Sequence, residues 1–430
     1  MMRQTDRALA ARCVRDVETG GFSNLVLKRA LSKSELDVRE RRFCSAIVMG
    51  TLERLITLDY ILSPRLSRPI AKLDAEVRAV LETGLYQCLY MQSVPTHAAI
   101  SESVNTVRTL GKSSAAGLVN AVLRKASAFD ISSIDNISDK TERLSVKYSL
   151  SPQLVGLFCT QYGDGAEDIM ASFFAAPKNT VRVNTLRTTP TELAAELASK
   201  GIDAHPASVE GALTLEGEGW LSAEAFARGD MRVQSAAAQT AALALDAQSG
   251  MSVLDMCAAP GGKTLTAAQC MNNNGKITAL DRSQRRLELI EKQAALEGID
   301  IVKTLCADAS AFDTTERYDR VLCDVPCSGL GEIAGKPELR QRPLPDGDAL
   351  RPLQLAILEN GARLLKNGGR LVYSTCTLDK RENEEIVSAF LSQNGDFAPA
   401  NGPLGDYICK FVPSKADCEG FFIACFERVC

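Results

Sequence analysis

The segment that identifies the architecture of this 430-residue chain is Val253-Leu254-Asp255-Met256-Cys257-Ala258-Ala259-Pro260-Gly261-Gly262-Lys263-Thr264. Its apolar start is typical of a buried strand, and the strand runs into a loop that opens a helix. Gly261 and Gly262 let the backbone approach a ligand closely, and the first turn of the helix offers unpaired N–H groups. The segment therefore predicts a ligand-binding turn in an α/β domain.

Two kinds of nucleotide-binding loop can be tested against this turn. A phosphate-binding loop has the pattern GxxxxGK[ST], but Cys257 occupies its first glycine position here. A dinucleotide fingerprint, GxGxxG, has no match in the loop, which argues against a nicotinamide-dependent oxidoreductase. The loop is suited instead to a ligand that carries a carboxylate and an adenosine but no phosphates.

The sequence from residue 236 onward alternates short apolar strands with helices. The predicted strands are Ser252–Asp255, Lys276–Leu280, Ile301–Cys306, Arg320–Asp324 and Gly369–Ser374. The predicted helices are Thr264–Cys270, Gln284–Glu297, Leu350–Leu365 and Glu382–Leu391. This alternation predicts a mostly parallel sheet that is covered on both faces and binds ligands at the carboxyl ends of its strands.

Candidate site residues follow the carboxyl ends of these strands. Asp281 comes after the second strand, where a carboxylate can accept both ribose hydroxyls of a nucleoside, and Asp308 comes after the third. Each aspartate taken alone is also typical of a turn or a helix cap. Cys327, in DVPCSGLG (324–331), and Cys376, in STCTL (374–378), each lie just beyond a strand. Two cysteines in equivalent positions favour chemistry over packing.

The chain before residue 236 has a different character. Apolar residues at helical spacing recur in Ala8–Val17, Phe43–Leu62, Leu73–Leu89, Thr96–Leu110 and Ala115–Leu123, and Ser127–Asp139 is predicted to be a linker. A helix at Pro152–Tyr162, a strand near Thr180–Asn184 and a helix at Thr191–Lys200 indicate a small α+β segment. We expect three domains: all-helical at 1–135, α+β at 140–235 and α/β at 236–430.

The charge is distributed unevenly along the chain. Residues 1–150 contain 22 Lys+Arg and 16 Asp+Glu, whereas the remainder contains 27 and 37. A basic first third is typical of a nucleic-acid-binding module, although chance variation in surface charge would produce the same balance.

Cysteine and histidine usage limits the chemistry. The 14 cysteines are spread widely and lack CxxC spacing, so we expect reduced thiols and no metal site. His97 and His205 are the two histidines, and neither lies in a catalytic motif. No long apolar run is present and the N-terminal stretch is interrupted by charges, which predicts a cytoplasmic protein without a membrane partner.

Several segments together resemble the RNA (cytosine-5)-methyltransferases of the Sun group, the family typified by ribosomal RNA small subunit methyltransferase B. In the C-terminal part they are DMCAAPGGKT (255–264), ITALD (277–281), CAD (306–308), DVPCSGLG (324–331) and STCTL (374–378). Further segments resemble the NusB-like helical RNA-binding domain and the middle part of this subgroup: VPTHAAISESVNTVR (94–108), GLVNAVLRK (117–125), VRVN (181–184) and VQSAAAQ (233–239). The resemblance covers nearly the whole chain.

This resemblance implies a Rossmann-like methyltransferase domain that uses S-adenosyl-L-methionine as methyl donor and needs no metal. The residues expected to bind the donor are Cys257, Ala258, Ala259, Pro260, Gly261, Gly262, Lys263, Asp281, Asp308 and Asp324. The implied substrate is 16S rRNA, and no obligate protein partner is expected. A tRNA substrate or a non-catalytic RNA-binding scaffold is the alternative.

The resemblance also implies roles in catalysis. Cys376 is expected to attack carbon 6 of cytosine, which makes carbon 5 nucleophilic. Asp324 is expected to act as a general acid at N3, and Cys327 to assist loss of the carbon 5 proton. Lys263 either holds the base and the charged transition state or forms a helix-start salt bridge. Exchanged roles for the two cysteines, as in DNA cytosine-5 enzymes, remain open.

The chain departs from the family pattern at two places. Ala334–Gly335 replaces a usual pair of basic residues, although Lys336–Pro337–Glu338 remains, and Glu419 stands where the family usually has aspartate. The first change bears on local RNA or loop contacts, and neither involves the expected methyl-transfer residues.

Overall fold

A computed structural model describes residues 5–217, 219–344, 347–413 and 419–429. The chain divides into two compact units. The first runs to Phe174 and also includes Ile333–Leu344, and the second contains Ala175–Glu332 and the chain after Leu344. The predicted division into domains at 1–135, 140–235 and 236–430 stays a prediction.

The first unit is helical, as predicted. Its α-helices are α1 (Asp6–Glu18), α2 (Ser23–Ser32), α3 (Val38–Glu53), α4 (Leu55–Leu62), α5 (Ala75–Tyr90), α6 (Thr96–Thr109), α7 (Ala116–Ala126), α8 (Lys140–Tyr148), α9 (Pro152–Tyr162) and α10 (Ala166–Ser172). The apolar faces of α1, α3 and α5 meet in one core around the fully buried Val14, Ile47 and Val80.

The structure corrects several details of the predicted helices. The helix predicted at 43–62 is two helices, because Arg54 leaves the helical conformation with its guanidinium 3.5 Å from the Phe174 ring centroid. Helix α2 was not predicted. The stretch predicted as a linker, 127–139, contains a 3₁₀ turn at Ile131–Asn136 with Ile134 buried.

A segment distant in sequence completes this helical unit. Arg340, in the 3₁₀ turn Pro337–Arg340, is fully buried and donates to the carbonyl oxygens of Tyr148 at 2.9 Å and Phe173 at 2.5 Å. Its guanidinium also lies over the Phe174 ring at 4.5 Å. Burial lowers the pKa of Arg340 to about 9. One side chain therefore satisfies two carbonyl groups that terminate helices α8 and α10.

We expect Arg340→Leu to lower the free energy of unfolding by roughly 2–4 kcal/mol, because both buried carbonyl groups lose their donor. The measurement is urea unfolding followed by circular dichroism. Arg342→Leu, at a partly exposed position in the same segment, is the matched control. Equal midpoints for the two variants would contradict the anchoring role of Arg340.

The second unit contains a small antiparallel sheet. Its strands are β1 (Asn179–Val183), β2 (Asp203–Pro206), β3 (Ala212–Glu216) and β4 (Met231–Val233), in the order β2-β3-β1-β4. Helices α11 (Pro190–Ser199) and α12 (Glu224–Arg228) accompany it. The buried Arg232 on β4 pairs with Glu297 at 2.6 Å, and Arg182 on β1 donates to Gln269 at 2.9 Å. These contacts fix the small sheet to the rest of the unit.

The larger sheet has the predicted parallel centre. Its strands are β5 (Ser252–Asp255), β6 (Lys276–Asp281), β7 (Val302–Cys306), β8 (Tyr318–Asp324), β9 (Leu365–Thr375), β10 (Phe397–Pro399), β11 (Ile408–Phe411) and β12 (Phe421–Arg428). The order is β10-β12-β9-β8-β5-β6-β7, with β11 beside β12. Strands β5 to β9 pair in parallel, and this confirms the α/β prediction.

The antiparallel C-terminal part of this sheet was not predicted. Strand β12 pairs antiparallel with β9, and β10 and β11 pair antiparallel with β12. The helices of this part of the chain are α13 (Ala236–Leu243), α14 (Gly262–Cys270), α15 (Gln284–Glu297), α16 (Gly347–Arg363) and α17 (Glu384–Gln393). The carboxyl ends of the parallel strands lie at one edge of the sheet, where ligands bind in such folds.

Candidate active site

The loop after β5 is held by the backbones of its two neighbouring strands. Met256 donates to the carbonyl of Leu322 on β8 at 2.9 Å, and Ala258 donates to that of Leu280 on β6 at 2.7 Å. Gly261 adopts φ +106°, and a Cβ there would lie 3.0 Å from Ile290. The loop therefore presents the N-terminus of α14, with its unpaired N–H groups, at the sheet edge.

Both aspartates expected to bind a nucleoside lie at strand ends beside this loop. Asp281 ends β6, is 7% exposed, and accepts a hydrogen bond from the Ser283 amide at 2.9 Å. Its second oxygen lies 3.1 Å from Arg286. Asp308 follows β7 and accepts from Ser310, which lowers the pKa of its carboxyl group.

Lys263 and Asp324 meet between the loop after β5 and the end of β8. The Lys263 ammonium lies 2.7 Å from one Asp324 oxygen, and the Ser374 hydroxyl donates to the other at 2.7 Å. Burial alone would lower the pKa of Lys263, but the charge of Asp324 outweighs it and the pKa is raised. The ammonium also lies 5.1 Å from the Phe421 ring centroid. The lysine is therefore held charged and in one orientation.

The two cysteines that follow β8 and β9 lie side by side. The sulfur atoms of Cys327 and Cys376 are 3.4 Å apart, and Cys376 Sγ lies 3.3 Å from an oxygen of Glu332. The hydrogen bond with Cys327 and burial raise the pKa of the Cys376 thiol well above its ordinary value, and the charges of Glu332 and Asp324 act in the same direction. Cys376 is therefore a protonated thiol at neutral pH before any substrate binds.

Hydrogen bonds fix the two cysteine loops to each other. The hydroxyls of Ser328 and Thr377 are 2.6 Å apart, and the Ser328 amide donates to Glu382 at 3.0 Å. Gln354 on α16 donates both to Glu382 at 2.8 Å and to the carbonyl of Pro326 at 3.0 Å. Because this network connects both loops to α16, the sulfur–sulfur distance is a property of the fold.

Two acidic groups lie at the end of β5 and at the start of the loop that follows it. Burial raises the pKa of Asp255, which ends β5, to about 7, and Thr264 donates to it at 2.7 Å. Burial raises the pKa of the Cys257 thiol even further from its ordinary value. Cys257 therefore carries a neutral thiol, and its place in the donor-binding loop stays a prediction.

The structure groups the sequence-predicted residues in one row along the sheet edge. Cys327, Cys376, Asp324 and Lys263 lie at the β8–β9 end, the loop 257–263 lies above β5, and the two nucleoside-binding candidates lie above β6 and β7. The sequence interpretation missed Glu332, Ser374 and Glu382. It also missed Arg286, which pairs with Asp281, and Arg282, which lies 3.3 Å from Asp308. Ser374 lies inside a quoted motif, whereas Glu332 carries no signal until its distance to Cys376 is known.

Three observations concern metal sites, membrane-spanning helices and disulfides. Among the described residues, no group of histidine, cysteine and acidic side chains could hold a metal ion. None of the described helices is both long and apolar enough to cross a membrane. Each cysteine outside the undescribed positions is a free thiol.

Three family models match the chain in sequence order. The NusB family matches residues 4–128, the ferredoxin-like domain of RsmF/B-like methyltransferases matches 154–220, and the 16S rRNA methyltransferase RsmB/F family matches 242–427.

Similar proteins extend over the whole chain. The "Probable ribosomal RNA small subunit methyltransferase B" of Bacillus subtilis is 36% identical and covers 95% of each chain. The "Ribosomal RNA small subunit methyltransferase B" of Thermus thermophilus is 32% identical over 100% of this chain and 99% of the other. The crystal structure of PH0851 has a TM-score of 0.85 at 27% identity, and covers 100% of this chain and 99% of the other.

The raised pKa of Asp255 predicts a pH-dependent stability difference. A carboxyl group whose folded pKa exceeds its unfolded value stabilises the protein below about pH 4 and loses that contribution as the pH rises to about 7. The loss is on the order of 4 kcal/mol. In the Asp255→Asn variant the side chain at this position is neutral at every pH. We expect the melting temperature of this variant, relative to the parent, to rise between pH 5 and pH 8. A constant difference would contradict the prediction.

Proposed function

The chain belongs to the 16S rRNA methyltransferase RsmB/F family and is an RNA methyltransferase, and from this premise we propose that it methylates carbon 5 of a specific cytosine in 16S rRNA. The methyl donor is S-adenosyl-L-methionine, and the reaction passes through a covalent bond between a cysteine and carbon 6 of the base. The single observation that carries this proposal is the pair of thiols 3.4 Å apart beside the Lys263–Asp324 pair. An enzyme acting on ribosomal RNA is proposed to work in the cytoplasm.

The residues at the sheet edge fit the methyl donor chemically. The backbone of residues 257–262 and the helix end at Gly262 suit a carboxylate, and the buried Asp281 suits ribose hydroxyls. Asp308 is proposed to accept from the adenine amino group, and Asp324 is proposed to complete the set. When bound, the donor supplies an electrophilic methyl group on a positively charged sulfur. The acidic side chains around the site complement that charge.

Cys376 is proposed to begin the reaction by bonding to carbon 6. Carbon 5 of cytosine is a weak nucleophile, and sulfur addition at carbon 6 gives it enamine character. Asp324 is proposed to pass a proton to N3 from the Lys263 ammonium 2.7 Å away, and Ser374 and Lys263 hold its carboxyl group in position. The Lys263 ammonium pairs with the Asp324 carboxylate before the proton moves, and Lys263 is also proposed to hold the base. The target base has to leave its stack to reach these groups.

Cys327 is proposed to act after methyl transfer. The carbon 5 proton must leave before the bond between Cys376 and carbon 6 can break. Cys327 lies 3.4 Å from Cys376, and this distance supports a role for its sulfur at the neighbouring carbon 5. The fixed contact between the two loops is consistent with separate roles for the two thiols: Cys376 bonds to carbon 6, and Cys327 promotes loss of the carbon 5 proton.

Removal of each thiol distinguishes these roles. We expect Cys327→Ala to accumulate a covalent protein–RNA adduct in the presence of the methyl donor, because attack proceeds while release is blocked. Cys376→Ala is expected to form none. The adduct is measured by its retarded band in denaturing electrophoresis with undermethylated 16S rRNA, and tRNA serves as the competing substrate. An adduct in Cys376→Ala alone would exchange the two roles, and none in either variant would refute the covalent mechanism.

The helical unit contributes a groove suited to an RNA strand. The groove has a volume of about 940 Å³ between α6 and α7. Its lining residues are Thr96, His97, Ile100, Ser101, Val104, Asn105, Arg108, Ala116, Gly117, Asn120 and Arg124. The described lining residues include two arginines and several polar side chains but no carboxylate, a combination suited to phosphate oxygens and to bases. We therefore place an RNA-binding surface here.

Charge removal in the groove is expected to weaken RNA binding in a salt-dependent way. The double variant Arg108→Gln/Arg124→Gln should reduce the slope of log affinity against log salt by about 1.5, since each phosphate contact adds about 0.7–0.9. The control is Lys28→Gln/Arg29→Gln, which removes equal charge from exposed positions on α2. The measurement is filter binding over a salt series. Equal slopes for the two double variants would contradict the assignment.

A further inference from the structure

Glu332 is an acidic residue in direct contact with the sulfur proposed to attack the base. It ends the 3₁₀ turn Leu330–Glu332 that follows the Cys327 loop, and it is partly buried. Its Oε2 accepts the Cys376 S–H at 3.3 Å. This contact is not part of the mechanism proposed above.

The backbone fixes the position of Glu332 from two sides. The Gly331 amide donates to the carbonyl of Cys376 at 2.9 Å, and the Gly420 amide donates to the carbonyl of Gly331 at 2.9 Å. A Cβ at Gly331 would collide with the backbone of Gly420, so the close approach requires glycine. These main-chain hydrogen bonds therefore hold residue 332 close to Cys376.

Cys376 needs a proton acceptor, because the thiolate and not the thiol is the nucleophile. Among the described residues, the titratable groups that act on it are the Cys327 thiol, the Asp324 and Glu332 carboxylates and the Lys263 ammonium. Both oxygens of Asp324 already accept hydrogen bonds, from Lys263 and Ser374. The Glu332 carboxylate, in contrast, accepts a hydrogen bond from the Cys376 thiol itself, at 3.3 Å.

We propose that Glu332 is the general base that takes the Cys376 thiol proton as sulfur bonds to carbon 6 of cytosine. This inference rests on the proposed function. The S–H bond breaks, its electron pair forms the S–C6 bond, and the proton moves to the Glu332 carboxylate. The electrons of the C5–C6 double bond shift toward N3, which takes a proton through Asp324 from the Lys263 ammonium 2.7 Å away. When the S–C6 bond breaks at the end of the reaction, Glu332 returns the proton to sulfur.

A general base and a merely neighbouring charge predict opposite outcomes for Glu332→Gln. Removal of a negative charge beside the thiol makes its thiolate easier to form, so alkylation of Cys376 by iodoacetamide should become faster. Removal of a proton acceptor makes attack on the base slower. The combination of faster alkylation with slower adduct formation is therefore specific to the proposed role.

The experiment measures adduct formation in the Cys327→Ala background with undermethylated 16S rRNA and S-adenosyl-L-methionine from pH 6 to pH 9.5. We expect Glu332→Gln to slow adduct formation about a hundredfold at pH 7. The deficit should shrink as the pH rises, because bulk base then ionises the thiol. Glu332→Asp should retain more activity than Glu332→Gln, since it keeps a carboxylate. Glu385→Gln, on the exposed face of α17, is the matched control.

Alkylation of Cys376 is followed in parallel without RNA, by peptide mass spectrometry. Unchanged adduct formation and an unchanged pH profile in Glu332→Gln would overturn the base role, and so would slowed adduct formation with equally slowed alkylation, which indicates a distorted site. Absence of both adduct and methyl transfer in the Cys327→Ala and parent proteins would overturn the proposed function itself. That outcome differs from a defect confined to Glu332 variants.

Discussion

The parallel pairing of β8 with β9 is the constraint on which the candidate site depends. In this register Asp324 lies opposite Ser374, so the chain leaves both strands at the same height and in the same direction. The loops that carry Cys327 and Cys376 therefore begin side by side, and hydrogen bonds of Ser328, Thr377 and Glu382 connect them. Two residues 49 positions apart in sequence thereby come within 3.4 Å of each other. A change of register by one residue would turn one of these side chains away from the cleft.

The electrostatics of the site follow from the same arrangement. Burial and the neighbouring acids hold the Cys376 thiol in its neutral form, and Lys263 is the cation that balances Asp324. The proposed nucleophile is therefore a neutral thiol in the free protein. The proposed reaction requires proton movement within the cleft, and the described residues that lie there carry carboxylates rather than imidazoles. The scarcity of histidine in the sequence is consistent with this solution.

Much of this architecture could be predicted from the sequence because its signals are local. The strands at Ser252–Asp255 and Val302–Cys306 and the helix at Gln284–Glu297 were predicted within one residue, since apolar runs and glycine punctuation are properties of short segments. The positions of the site residues at strand ends followed from the order of these elements. Their catalytic and binding roles stay predictions.

The parts that were not predicted depend on contacts between distant segments. Strand β12 pairs antiparallel with β9 across an intervening helix, and nothing in its own sequence specifies that direction. The contact of Glu332 with Cys376 depends on the close approach of Gly331 to Gly420, which are far apart in sequence. Arg340 resembles a surface charge in the sequence, and only its two carbonyl partners show that it is a buried anchor. The Arg340 anchor has a consequence for synthesis on the ribosome. Helices α8 to α10 emerge well before residue 340, so the helical unit cannot reach its final packing until residues 175–332 of the second unit have also been translated.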